Sequence, residues 1–186
     1  SFDETINPAM SMYNEYFSGS MNAIVFQEMR EARGLAYSAG AYLITPSKLK
    51  YPYIFRTFIA TQNDKMDDAL KAFDSIINDM PLSEKAFNLA KDALITRLRT
   101  ERIIKSDVLW TYIQATDLGM KHDNRKELFE QAQTMTLADL KAFQEKWIKG
   151  RNYIYCILGD EKELDMKKLS TYGPIQQLSQ EEIFGY

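Results

Sequence analysis

Two hydrogen-bond donors of different type lie close together in the segment YFSGSMNAIVFQEMREARGLAYSAGAY, residues 16–42. Arg30 carries a planar, permanently charged fork of N–H donors, and Tyr37 carries a hydroxyl group at the end of a rigid ring. A helical pattern ends at Gly34 and a strand pattern follows it at once, so the two side chains flank one tight turn. Two such donors can converge on a single oxygen atom, which would make them half of an active site. From spacing alone, a surface salt bridge for Arg30 and sheet packing for Tyr37 remain the alternative.

The rest of the sequence does not supply the other half of such a site. His122 is the only histidine and Cys156 the only cysteine, so a zinc site with two histidines and a carboxylate cannot be built from this chain. His122 lies in the polar stretch GMKHDNRKE and is expected at the surface, whereas Cys156 lies in the apolar run YIYCIL and is expected to be buried. The sequence has neither a G-x-S-x-G motif nor a glycine-rich phosphate loop.

Composition excludes further classes of function. The chain has 186 residues, of which 45% are hydrophobic and 26% charged, and its net charge is −3. A broad basic face for nucleic acid is not expected at this charge. No apolar run reaches the roughly 20 residues that span a bilayer, so we expect no membrane span. The opening SFDETINPAM lacks the basic and apolar regions of a signal peptide, and nothing in the residues indicates a compartment.

The elements that must position Arg30 and Tyr37 follow from periodicity and from turn residues. Two strands are predicted, at residues 36–45 and in YIFRTFIAT, with TPSKLKYP as the hairpin loop between them, and a third in NYIYCIL near the end of the chain. Ser20 and Ser83 are predicted helix caps, and Thr136 with Asp139 resembles a capping box. Helices are predicted at residues 8–17, 21–33, 64–80, 83–104, 108–120, 126–133, 137–148 and 162–169.

This order of elements predicts an α+β fold, with an antiparallel sheet and the helices packed together on one face. Three strands are few for so many helices and would leave an exposed sheet edge. We therefore expect either that N-terminal strands lie outside these residues or that a partner covers the edge.

The segment around Arg30 and Tyr37 resembles the pitrilysin/insulinase family of zinc peptidases, which includes the mitochondrial processing peptidases. The matching residues are the break at Gly19 and Ser20, the F-x-x-[LM]-R pattern from Phe26 to Arg30, and the R-G-L-A-Y run that ends at Tyr37. The downstream order of hairpin, long helices and late strand agrees with the family by layout. Family members are built from homologous α+β domains that face each other like a clamshell.

The resemblance implies a division of labour between two domains. One domain of the family carries an inverted zinc motif, H-x-x-E-H, and the opposing domain supplies an Arg and a Tyr across the cleft. This chain has no H-x-x-E-H but has both donors, so residues 1–186 are expected to form one domain, the C-terminal zinc-free half of a zinc metalloendopeptidase. We assign no catalytic residue and no metal ligand to it, and we assign Arg30 and Tyr37 to substrate binding. Zinc is expected on a homologous partner domain, in the same full-length chain or in a partner subunit, and the substrate is expected to be a peptide.

Two other hypotheses remain open. The chain could belong to a non-catalytic relative of the family that serves as a scaffold or binds peptides, although a pure scaffold has no chemical need for Arg30 and Tyr37. It could also be a free-standing module that binds a small molecule, which a closed pocket would support. In the peptidase hypothesis, the isolated chain is expected to be inactive.

Overall fold

The computed structural model describes residues 2–186. Over this range the chain forms a two-stranded sheet and a series of helices, with short 3-10 turns at Glu4–Ile6, Asn63–Lys65 and Glu161–Glu163. The strands are β1 (Ser38–Ile44) and β2 (Ile54–Ala60). The helices are α1 (Asn7–Ser18), α2 (Ile24–Phe26), a π-helix (Gln27–Ala32), α3 (Met66–Asn78), α4 (Glu84–Thr100), α5 (Lys105–Asp117), α6 (Arg125–Thr134), α7 (Leu137–Trp147), α8 (Met166–Leu169) and α9 (Gln180–Phe184).

Helix α1 is the centre of the molecule. Pro8 occupies its first turn, where the missing N–H costs no helical hydrogen bond. Tyr13, Tyr16 and Phe17 are fully buried, and α1 packs against β1, α4, α6 and α7. The Tyr13 ring lies 5.1 Å from that of Phe17 and 5.4 Å from that of Phe143 on α7, so one aromatic cluster joins α1 to the last long helix.

The sheet is antiparallel, with Gly40 opposite Phe58 and Tyr42 opposite Arg56. Alternate residues of β1 point towards the helices, so Ala41 and Leu43 are buried while Tyr42 is exposed on the outer face. At Gly40 the Phe58 ring crosses the strand so closely that a Cβ atom would lie 2.4 Å from the ring. A side chain at this position would therefore require the Phe58 ring to move.

The predicted α+β class is confirmed, with the antiparallel hairpin on one side and the helices on the other. The capping predictions for α4 and α7 are also confirmed. The Ser83 hydroxyl accepts a hydrogen bond from the Ala86 amide, and Thr136 and Asp139 form a complete capping box.

The prediction of a continuous helix over residues 21–33 is wrong. Helix α2 begins only at Ile24, and its N-cap is Ala23 rather than Ser20. From Gln27 the backbone continues as the π-helix. The Ser20 hydroxyl instead accepts from the Asn22 amide in the preceding turn. A serine side chain can bond the backbone in a turn as well as at a helix start.

The prediction of a third strand in NYIYCIL is also wrong, and so is the burial of Cys156. Within residues 2–186, no backbone hydrogen bond engages residues 152–158, and Cys156 is exposed. A strand is stabilised by the neighbour with which it shares its ladder. The residue pattern suits a strand, but the part of the chain that the structure describes places no neighbour beside it.

Candidate functional site

The turn between the π-helix and β1 is built from backbone hydrogen bonds. The amides of Leu35 and Ala36 both donate to the Met29 carbonyl, at 2.9 and 3.2 Å, and the Gly34 amide donates to the Arg30 carbonyl at 3.1 Å. Gly34 has φ = +58°, a left-handed conformation that other residues adopt only with strain. Met29 is fully buried beneath the turn, so the turn is fixed from below. Arg30 and Tyr37 are thereby held at its two ends.

Arg30 presents its guanidinium group to solvent. The side chain is 54% exposed, its Cζ atom lies 5.1 Å above the centre of the Phe26 ring, and its Nε atom is 3.9 Å from a Glu31 carboxylate oxygen. Phe26 and Arg30 are four residues apart, the spacing that brings helical side chains together. Within the described residues no hydrogen bond engages the guanidinium, so its donors remain available to a ligand.

Tyr37 combines a fixed backbone with a free hydroxyl group. Its amide donates to the Ala60 carbonyl at 2.8 Å, which anchors it to the end of β2. The residue is 67% exposed, and among residues 2–186 its hydroxyl has no hydrogen-bond partner. Tyr42, five residues on, differs because its hydroxyl donates to the Ser18 carbonyl at 3.2 Å.

Arg33 is the C-cap residue of the π-helix, the end at which a cation is favoured. Its guanidinium binds the Glu28 carboxylate at 3.2 Å. Of the two arginines on the turn, Arg30 is therefore the one with uncommitted donors.

The structure places Arg30 and Tyr37 on the same turn but gives them no direct contact. Over the described range, no hydrogen bond or ion pair links the two side chains. The support of Arg30 by the Phe26 ring was missed by sequence reasoning. The spacing of four residues between an aromatic and a cation was the signal that could have found it.

The described residues do not fit a zinc ion. No group of three or more His, Cys, Asp or Glu side chains within residues 2–186 is arranged to hold a metal. His122 is exposed, as predicted, and its Nε2 atom lies 2.9 Å from a Glu127 carboxylate oxygen. The backbone amide of Glu127 and, to a smaller extent, the hydrogen bond with His122 lower the pKa of the Glu127 carboxyl.

A cleft of about 190 Å³ lies between the start of α3 and α8. Four acidic residues line it, and two of them, Asp67 and Asp165, are paired with lysines. The Asp67 carboxylate accepts hydrogen bonds from Lys71 at 2.7 Å and from the Tyr172 hydroxyl at 3.1 Å, and these lower its pKa, Lys71 contributing most. Asp165 lies 3.7 Å from Lys168. We assign no ligand to this cleft.

None of the described helices is long and apolar enough to cross a membrane. Comparison with protein families gives a match to the peptidase M16 inactive domain over residues 2–94, half of the chain. The chain belongs to the peptidase M16 inactive-domain family. The resemblance to the zinc-free domain of pitrilysin-type peptidases is thereby confirmed, and Arg30 and Tyr37 both fall within the matched residues.

Among solved structures, the chain is similar to the peptidase M16 inactive domain from Pseudomonas fluorescens. The TM-score is 0.64 at 19% sequence identity, and the match covers 76% of this chain and 34% of that one. At this identity the likeness concerns the fold, and the chain spans about a third of the length of that M16 relative. No curated protein matches the chain.

Proposed function

We propose that this chain is the zinc-free half of a zinc-dependent metalloendopeptidase. In this proposal residues 1–186 form one domain, which faces a homologous zinc-bearing domain of the same full-length chain or of a partner subunit. Peptide bound between the two domains is the substrate. The M16 inactive-domain family supports the pairing, and the observation that carries the role of this chain is the pair of uncommitted donors on Arg30 and Tyr37.

Water activation belongs to the metal-bearing domain, where zinc supplies a nucleophile at neutral pH. This chain's own residues bind and orient the peptide. A guanidinium and a phenol that donate to carbonyl oxygens of the peptide hold it in place and favour the negative charge that develops during hydrolysis. The glycine turn above buried Met29 fixes the backbone from which both donor side chains extend, which limits the reorganisation needed at that moment.

The proposal is tested in the reconstituted two-domain protein with the variants Arg30→Ala and Tyr37→Phe. Each removes one donor, and we expect kcat/KM for peptide cleavage to fall by about a hundred- to a thousand-fold, the usual cost of losing one such donor. Zinc content, measured by atomic absorption, is expected to stay unchanged, because neither residue binds the metal.

Each variant has a matched control within the chain. Arg33→Ala removes a neighbouring arginine that is paired with Glu28, and Tyr51→Phe removes the hydroxyl of another exposed tyrosine. Both should leave cleavage within about twofold, since surface contacts of this kind contribute little. If Arg30→Ala and Tyr37→Phe cleave as well as these controls, the proposed role of the two donors is wrong. A wild-type two-domain protein that binds peptide but does not cleave it would instead favour the non-catalytic scaffold or peptide-binding relative.

The isolated chain is expected to show no zinc-dependent proteolysis. Incubation with an unfolded protein substrate and added zinc, followed by mass spectrometry, checks this directly. Cleavage that a chelator abolishes would contradict the assignment to the zinc-free half.

A further inference from the structure

Helix α5 rests on the rest of the molecule along one side only. Thr111 is half-buried, Ala115 is buried, and Leu118, which directly follows the helix, is buried as well. These positions are four and three residues apart, so they share one side of the helix. In the part of the chain that the structure describes, the opposite side of α5 is open to solvent.

A row of residues spaced four apart runs along the middle of this open side. Its members are Lys105, Leu109, Ile113 and Asp117. Leu109 is 56% and Ile113 39% exposed, and the flanking rows add Trp110 on one side and Tyr112 on the other, at 66% and 69%. We call these six residues the α5 face. The face is apolar in its middle and carries opposite charges at its two ends.

The two charges lie at the ends of α5 where its dipole disfavours them. Lys105 is the first residue of the helix and Asp117 the last. Anions are favoured at a helix N-terminus and cations at a C-terminus, so each charge is at the unfavourable end. Among residues 2–186, no ion pair involves either side chain. A single copy therefore leaves both charges uncompensated.

A second copy of α5 that runs antiparallel to the first compensates both charges at once. Lys105 and Asp117 are equally far in sequence from Thr111 at the middle of the helix, so two-fold pairing places Lys105 of each copy beside Asp117 of the other. Each charge then also lies at the end of the partner's helix whose dipole favours it. Leu109 and Ile113 meet in the same way near the centre. Parallel pairing would instead place like charges together.

Helix geometry allows this contact. Residues spaced four apart form the ridges that interdigitate in the commonest class of helix packing, at a crossing angle of about −50°. The row from Lys105 to Asp117 is one such ridge, about 18 Å long at 1.5 Å per residue. Trp110 and Tyr112 lie on either side of it, and aromatic residues are enriched in protein interfaces.

We propose that the α5 face is a self-association surface, through which two copies of this protein form a two-fold dimer with antiparallel α5 helices. The occupant is a second copy because the face satisfies its own charges and covers its own apolar middle when it meets itself. One helix pair buries less than the roughly 800 Å² per partner of a standard interface. The dimer is therefore weak, with a dissociation constant on the order of 100 µM, and dilute protein is monomeric.

Sedimentation equilibrium of the full-length protein tests the proposal, at concentrations from about one tenth to ten times this dissociation constant. We expect a reversible monomer–dimer equilibrium. Leu109→Ser removes an apolar contact at two symmetric positions and should weaken the dimer by at least about tenfold. The matched control is Leu178→Ser, since Leu178 is 55% exposed and lies outside α5, and it should leave the equilibrium unchanged.

Charge reversal identifies the partner as a second copy. Lys105→Asp places two carboxylates at each end of the pair, and Asp117→Lys places two ammonium groups there. Each variant alone should dimerise at least about tenfold more weakly, because attraction becomes repulsion at two positions. An equimolar mixture of the two should associate about as strongly as wild type, since each end then holds one charge of each sign. Both substitutions favour the dipole of their own helix, so circular dichroism should show folded protein.

Four results would overturn the proposal. The first is a protein that stays monomeric at every concentration. The second is a dimer that neither Leu109→Ser nor charge reversal weakens, and the third is a mixture of the two charge variants that associates no better than either alone. The fourth is protection of Trp110 from hydroxyl-radical footprinting in the dilute monomer, which would show that another part of the chain covers the face. None of these measurements depends on Arg30 or Tyr37, so the proposed function is tested separately.

Discussion

Helices α1 and α5 are of similar length and are both rich in apolar and aromatic residues, yet α1 is mostly buried and α5 is mostly exposed. Helix α1 contributes eight buried residues to the core, whereas α5 contributes only Ala115. The side chains of Val108, Leu109, Trp110 and Tyr112 on α5 are more than half exposed. The difference lies in the neighbours, because several elements pack on α1 and no described element packs on α5 to a comparable extent.

This contrast teaches that hydrophobic content alone does not determine where the core forms. Burial removes apolar surface from water only where a second surface is available. The stability of the chain should therefore reside in the elements around α1, which include the residues that support Arg30 and Tyr37.

The largest expected effect compares Phe17 with Trp110. Phe17 is fully buried and stacks on Tyr13, so Phe17→Ala should lower the free energy of unfolding by about 3–5 kcal/mol. Trp110 is 66% exposed, and Trp110→Ala should change it by no more than about 0.5 kcal/mol. Urea denaturation followed by circular dichroism measures both. Comparable losses would mean that α5 packs against a surface in solution and that the contrast is wrong.

Tyr13 and Tyr16 sharpen the comparison within α1 itself. Both are fully buried, but the Tyr16 hydroxyl donates to the Pro81 carbonyl and accepts from the Ser83 amide, while the Tyr13 hydroxyl has no partner within the described residues. Burial accordingly raises the pKa of Tyr13 well above its usual range.

We expect Tyr13→Phe to stabilise the protein by about 1 kcal/mol and Tyr16→Phe to destabilise it by about 1 kcal/mol, because only the second loses hydrogen bonds. Thermal and urea unfolding of the two variants check the signs. Destabilisation by Tyr13→Phe would show that its hydroxyl is hydrogen-bonded in solution, for example to a buried water.

A third comparison concerns the capping box of α7. Thr136→Ala should lower the free energy of unfolding by about 1 kcal/mol, the usual contribution of an N-cap. Hydrogen bonds from the side chain and backbone of Thr136, the side chain contributing more, lower the pKa of Asp139. A carboxyl whose folded pKa is lowered stabilises the protein above its unfolded pKa, and this contribution disappears as pH falls through the folded value.

The stability difference between wild type and Thr136→Ala should therefore be largest near neutral pH and shrink below about pH 4, the ordinary carboxyl range. Urea midpoints measured across this range test it. A difference that stays constant with pH would indicate that the Asp139 carboxylate does not take part in the cap.

Elements defined by nearby residues were predicted well from sequence. The cap at Ser83, the box at Thr136 and the hairpin loop all depend on contacts within a few positions. The placement of Arg30 and Tyr37 on one turn followed in the same way from Gly34 and the patterns on either side of it.

The failures depended on contacts that a local pattern does not contain. NYIYCIL has the residues of a strand but lacks a neighbour in the described chain, and so Cys156 is exposed rather than buried. The change from α-helix to π-helix at Gln27 is not revealed by helical periodicity. Helix α4 ends at Thr100, four residues before the predicted boundary at Ile104, and α9 was not predicted at all.

The π-helix makes the turn sensitive to insertions and deletions that change neither functional residue. A π-helical turn accommodates more residues than an α-helical turn, often at a functional site. Since no contact joins Arg30 to Tyr37, the relative orientation of their side chains depends on the length of chain between them. Loss of one residue there would rotate a helical side chain by about 100° around the axis. A homologue could thus keep both residues in its sequence while their side chains no longer point towards the same ligand.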